Sequence, residues 1–195
     1  MHQRRSDLPV SPTVLKRWST RAFDGREMPH EDLLTMLEAG RWAPSAFNAQ
    51  PWTFLYAMRD DDHWADFLSL LIPFNAMWAS TASALVFVVS DTMPDVGKGP
   101  APSHSHSFDS GAAWAMVAWQ AAEMGYMTHA MTGLDFERAS VQLGLSPTVR
   151  LEAAFVVGRQ GDGAQLPDYL LAREEPSDRK PLVEIALRGP FPNGI

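Results

Sequence analysis

With 195 residues, 46% of them hydrophobic and 20% charged, the chain is large and apolar enough to enclose a core and too apolar to be disordered. A formal charge of −7 excludes a protein that holds nucleic acid by neutralising phosphates across a broad basic surface, so an anionic ligand would need a local basic cluster. The absence of cysteine excludes disulfides, a thiolate nucleophile and cysteine-ligated zinc or iron–sulfur centres, which leaves any redox chemistry to a borrowed cofactor.

The opening MHQRRSDLPV has two arginines but lacks the apolar stretch of a secretory signal. The longest apolar run, ASALVFVV, falls far short of the roughly 20 residues that span a bilayer. The expectation is a soluble, cytoplasmic chain of one domain with no membrane partner and no nucleic-acid partner. In SPTVLKRWS, Ser11 is a candidate N-cap and Pro12 suits the first helical position, predicting a short helix that stops near Thr20. Pro29, Glu31 and Asp32 open a second helix with Leu33, Leu34 and Leu37 on its apolar face, ending at Gly40 and Pro44.

TFLYAM alternates and reads as a strand. Trp64, Phe67, Leu68 and Leu71 recur at spacings of three and four, predicting an amphipathic helix. PFNAMWASTAS reads as another helix, and ALVFVVS as a buried strand. Residues 91–106, rich in Pro, Gly and Ser, read as a loop and a candidate lid. FDSGAAWAMVAWQAAEMGY predicts a long helix, apolar on nearly every side and therefore buried, with Asp109 as its cap and Gly125 at its end. DFERASVQLG is a shorter helix and LEAAFVVG a third strand. The turn-rich tail, residues 159–195, has few core positions of its own and reads as an extension that wraps a second subunit. Irregularly alternating helices and strands around a small sheet define an α+β or mixed α/β domain.

Three basic clusters, LKRWSTR, GRWAP and SDRKPL, stand against this acidic background. Arg17, Ser19 and Arg21 occupy alternate positions and could aim two guanidiniums and a hydroxyl at one anion; the planar guanidinium fork suits phosphate. In APSAFNAQPW, Ser45, Asn48 and Gln50 offer both donors and acceptors, either for the polar edge of a planar heterocycle or for a simple turn between helix and strand. SHSHSFD places His104, His106 and Asp109 close together, so a metal site completed by a residue such as His129 is a rival reading. No GxSxG nucleophile elbow and no GxGxxG fingerprint is present.

The ordered set of KRWSTRAF, APSAFNAQPW, FNAMW, FDSGAAWAMVAWQAAEMGY, HAMTGLD, LEAAFVVG and SDRKPL, over roughly residues 15 to 185, resembles the nitroreductase family of FMN-dependent oxidoreductases. The resemblance implies a small, mainly antiparallel central sheet surrounded by helices, in an intertwined homodimer that binds FMN at the subunit interface. It implies that Arg17, Ser19 and Arg21, with Trp18 between them, face the flavin from one subunit, Arg17 at the phosphate and Arg21 near the pyrimidine end. Pro44, Ser45, Ala46, Asn48 and Gln50 would approach from the partner chain, and Asn75 would bond the ring edge. Met131, Thr132 and Gly133 would lie beside the reactive N5 side, where the amides of the latter two point. Ser177 and Arg179 would close on the phosphate.

This chain departs from the family at Ala46, where many members have serine, at Trp78, basic in some, at Thr132, acidic in some, and at Ser177, lysine in some. The implied activity is hydride transfer from NADH or NADPH through FMN to a nitroaromatic, quinone or similar small-molecule electron acceptor. The flavin would carry the chemistry, with no catalytic side chain and no metal. A non-catalytic flavin-binding sensor or storage protein is the alternative.

Overall fold

Strands β1 (Trp52–Met58), β2 (Ala84–Asp91), β3 (Met127–Met131) and β4 (Val149–Gly158) form one antiparallel sheet in the order β1-β2-β4-β3. The computed structural model describes residues 4–191. β2 and β4 lie in the middle, which is why their sequences are the most continuously apolar. Ala84, Val86 and Val88 point into one core with Phe155 and Val157, while Leu85, Phe87 and Val89 point into a second core with Ala154 and Val156. An antiparallel sheet with both faces covered needs apolar residues on both sides.

The first core is covered by α2 (His30–Arg41), through Leu33 and Met36, and by α5 (His106–Glu123), through Val117 and Ala121. These helices meet closely at Gly40, where a Cβ would lie 2.6 Å from Val117 Cγ2. Gly125, at φ +77°, turns the chain out of α5 toward β3 in a conformation that side chains disfavour.

The second core draws on α3 (Trp64–Ser69), α4 (Pro73–Ala79), α6 (Phe136–Gln142) and α7 (Asp168–Leu171), with Trp78, Ala79, Ala139 and Leu170 buried in it. Short helices α1 (Pro12–Lys16) and α8 (Leu182–Ile185) flank the body. Among the described residues no helix is long and apolar enough to cross a membrane.

The α+β architecture with a small antiparallel sheet is as the sequence predicts, but several local readings are corrected. The sheet has a fourth strand, β3, whose five residues MTHAM carry neither β-branched enrichment nor a clean alternation. Helix α1 stops at Lys16 rather than near Thr20, because Arg17 turns to extended backbone (φ −65°, ψ 126°).

Helix α5 begins at His106, so Asp109 sits in its first turn instead of capping it. There its carboxylate accepts from Ala46 N at 3.1 Å and Ser105 Oγ at 2.9 Å. Within one chain α5 is not buried all round, since Phe108 is 81% exposed and Trp119 44%. The tail divides in two. Residues 160–174 pack on their own chain through buried Leu166 and Leu170 and through Gln165 Nε2, which donates to Phe23 O at 2.6 Å. Residues 177–191 are exposed, with Leu182, Val183 and Ile185 uncovered.

Candidate functional site

The early end of α1 creates the site. From Arg17, whose backbone is extended, burial alternates along the segment: Trp18 and Thr20 are buried, while Arg17, Ser19 and Arg21 are partly open. The segment is fixed from the tail. Glu174 Oε1 accepts from the Thr20 hydroxyl and from the backbone N–H groups of Arg21 at 2.8 Å and Ala22 at 3.0 Å. One carboxylate thus seats the loop that aims the two arginines.

Ser19 and Arg21 then line a cavity of about 230 Å³ together with Arg4, His129, Ser177 and Arg179. Arg4 Nη1 donates to Arg17 O at 2.6 Å, and Arg179 Nη1 donates to Ser177 Oγ at 3.0 Å. Burial and then the nearby Arg179 hold the Arg17 pKa below its ordinary range. Among the described residues, neither Arg17 nor Arg179 has an ion-pair partner. Guanidiniums left together in this way form a site for an anion.

Ser19 and Arg17 also border a second cavity of about 400 Å³ whose walls include Trp114, Ala115, Ala118 and Trp119 of α5. A cationic recess and an apolar one are therefore joined at Ser19. The wall on the β3 side is built by aromatic contact. His129 packs on Trp78 with ring centroids 4.6 Å apart, and the Arg21 guanidinium lies 5.8 Å from the Trp78 ring centroid. Trp78 is 1% exposed and forms a buried floor beneath Arg21. Arg21 Nε is buried without a partner among the described residues.

One turn before Trp78 on α4, Asn75 is 7% exposed and its Nδ2 donates to Gly133 O at 3.0 Å. A Cβ on Gly133 would lie 2.3 Å from that nitrogen, so only glycine admits Asn75 here. Thr132 is exposed beside them, and Met131 packs into the core.

The other predicted residues lie elsewhere. Pro44, Ser45, Ala46, Asn48 and Gln50 gather before β1, at the far edge of the sheet from β3. Three strand spacings, about 14 Å, separate the two edges, and among the described residues no hydrogen bond or ion pair joins this loop to the arginines. The loop is held in shape: Gln50 N donates to Ser45 Oγ at 3.0 Å, Gln50 Nε2 donates to Asn48 O at 3.1 Å, and Asp109 anchors Ala46. Phe47, Asn48 and Gln50 all have positive φ, between 47° and 55°, which costs about 1–2 kcal/mol for a residue with a Cβ. Phe47 is 90% exposed.

The rival histidine site does not assemble. His106 Nδ1 is 2.8 Å from Ser90 Oγ and 3.4 Å from Glu152 Oε1, and no group of three or more potential metal ligands occurs among the described residues. Residues 91–106 contain a tight turn in which Asp95 Oδ1 accepts from the N–H groups of Gly97, Lys98 and Gly99. Trp42 is exposed and bonded to Glu38, Trp52 is buried, and Trp78 forms the floor just described. A groove of about 760 Å³ between α2 and β1 has its Arg41 bound by Glu38 and lies away from the arginine cluster.

Sequence reasoning missed Arg4, His129 and Glu174 in this site. His129 opens the HAMTGLD segment and Arg4 lies in the N-terminal RR pair, but neither they nor Glu174 carry a spacing that assigns them to this site; tertiary contact does. His129 Nδ1 is 2.9 Å from Thr20 O, and because a carbonyl only accepts, Nδ1 carries the proton and Nε2 is left as an acceptor. Desolvation lowers the His129 pKa, as do Arg21 and Arg17, against the raising effects of the Thr20 bond and Glu174. The unfolded chain therefore binds a proton more readily, and this contribution to stability is full above the ordinary histidine pKa of about 6.5. It fades as pH falls through the lower folded value. Melting temperatures measured from pH 7.5 to 5 should fall more steeply for the native protein than for His129→Asn; parallel curves would refute this.

The family model for the nitroreductase family matches residues 14–74, which include Arg17, Ser19, Arg21 and the loop before β1. A crystal structure described as an oxidoreductase containing FMN is 45% identical, with a TM-score of 0.94 over 98% of this chain and 97% of that one. A nitroreductase family protein from Streptococcus pneumoniae has the same fold at 19% identity, with a TM-score of 0.72 over 91% of this chain and 98% of that one. The uncharacterized 15.4 kDa protein in the ask 5′ region of Mycolicibacterium smegmatis is 31% identical over 119 residues, 60% of this chain and 78% of that protein. The chain belongs to the nitroreductase family.

Proposed function

We propose that the protein is an FMN-dependent oxidoreductase that accepts hydride from NADH or NADPH and passes the electrons to a nitroaromatic, quinone or similar conjugated acceptor. The observation that carries this reading is the junction at Ser19 of a recess rich in unpaired guanidiniums with an apolar recess beside α5. That combination fits a dianionic phosphate joined to a planar ring, and the 45% identical relative is described as containing FMN.

Arg17 and Arg179 hold the phosphate. Arg21, seated over Trp78 and unpaired at Nε, supplies a fixed positive charge at the pyrimidine end, the electrostatic stabilisation that favours electron uptake in a site shielded from water. Asn75, fixed against Gly133, presents its amide to the ring edge. When bound, FMN would supply two successive hydride transfers, one from the nicotinamide and one to the acceptor. No side chain of the site is needed as a nucleophile.

The site is completed by a second copy of the chain. The loop of Ser45, Asn48 and Gln50 is preshaped, lies too far from its own arginines, and so reads the ring of the partner's cofactor. The exposed stripe Phe108, Ala115 and Trp119 of α5 and the uncovered tail beyond residue 177 are the surfaces that would be buried.

The test is to record the visible spectrum of the purified protein and add NADH or NADPH without oxygen. A flavin spectrum that bleaches and returns with a quinone or nitroaromatic is the expected result. A flavin that resists both nucleotides would replace the enzyme by a sensor, and a protein unable to bind FMN would end the reading.

A further inference from the structure

The geometry points to Arg4 as a third phosphate-binding cation of this site, delivered by the N-terminal segment; this rests on the FMN reading and deepens it. Arg4 belongs to neither basic motif of the site, yet its guanidinium sits where both meet. Nη1 donates to Arg17 O at 2.6 Å, Nε donates to Ser177 O at 2.8 Å, and Nη2 lies 3.5 Å from Ser177 Oγ. Three parts of the chain far apart in sequence are tied by one side chain.

Arg179 reaches the same serine, with Nη1 3.0 Å from Ser177 Oγ and 3.2 Å from Ser177 O. Two guanidiniums thus converge on one small residue, and the Arg17 guanidinium is near enough for its charge to act on Arg4. Burial, then Arg179, then Arg17 lower the Arg4 pKa, and only Asp178 pulls the other way. Among the described residues Arg4, like Arg17 and Arg179, has no ion-pair partner.

Backbone carbonyls and a hydroxyl can orient a guanidinium but do not neutralise it. A planar guanidinium has five N–H donors, and the two firm carbonyl bonds of Arg4 use two of them, leaving Nη1 and Nη2 with donors to spare. Like charges held this close are relieved by one multivalent anion that all three share. Ser177 matters by being small. A longer residue there would occupy the space that the Arg4 and Arg179 forks now enter.

The experiment titrates apoprotein with FMN and with riboflavin, which lacks the phosphate, following flavin fluorescence. Arg4→Gln retains a side-chain amide that can still donate to the two carbonyls but removes the charge. FMN affinity should fall about 10- to 100-fold, the scale of one charge-assisted hydrogen bond, while riboflavin affinity stays the same. In the double variant Arg4→Gln/Ser177→Lys, an ammonium placed in the vacated space should restore most of the FMN affinity.

Equal loss for FMN and riboflavin would make Arg4 a backbone strut and overturn the assignment. So would an Arg4→Gln protein that binds FMN as tightly as the native chain. Failure of the native protein to bind FMN would instead overturn the underlying functional reading, so the two failures are distinguishable.

Discussion

Replacing Arg17 and Arg179 together by alanine is expected to give a folded protein that purifies without flavin. Arg179 donates to Ser177 Oγ and lies near enough to Arg17 for its charge to lower the Arg17 pKa, and a charge-assisted contact contributes about 1.5–3 kcal/mol. Losing both should weaken FMN binding by about 10²- to 10⁴-fold. Neither side chain is part of the two buried cores, so circular dichroism and the melting temperature of the apoprotein should be near native. Equilibrium dialysis is the measurement, and retention of FMN at native affinity would remove the phosphate assignment.

A second large effect is expected from Trp119→Asp. Trp119 is 44% exposed on the outer side of α5 and lines the apolar cavity beside Arg17. In the proposed homodimer that side is covered, and a carboxylate there would be desolvated without a partner. About 3 kcal/mol, or two orders of magnitude in the dimer Kd, is a reasonable scale for replacing a central tryptophan by an unpaired charge. Sedimentation velocity at micromolar concentration should show a monomer, and the flavin should leave with the partner. A fully flavin-loaded monomer would contradict the shared site.

The readable parts of the sequence were those in which one physical demand acts alone. ALVFVV is apolar throughout because β2 is buried on both faces, and Gly125 marks the end of α5 because the chain there needs a positive φ. β3 was hidden because MTHAM must satisfy both pairing with β4 and the placement of His129 beside the cavity. Asp109 was misread for a related reason: acidic residues near a helix start are usually caps, but this one is spent on holding Ala46.

The alternate spacing of Arg17, Ser19 and Arg21 pointed to a shared side, and the fold leaves all three partly open on either side of buried Trp18 and Thr20. The left-handed turn at Phe47, Asn48 and Gln50 could not be found that way, because residues with a Cβ seldom adopt it and nothing in their identity announces it. Arg4 was invisible for the simplest reason, that an arginine far from any motif carries no address until the fold supplies one.

The four-stranded sheet sets the arginine cluster at one margin and the curled loop at the other. Under the proposed function, neither margin suffices alone, and the consequence is genetic. Two alleles that are each inactive, one damaged at Arg17 and the other in the loop, would combine in a mixed pair whose one active centre inherits both defects while its twin inherits neither. Each mixed pair formed from two dead proteins would then recover up to half the turnover of a native pair.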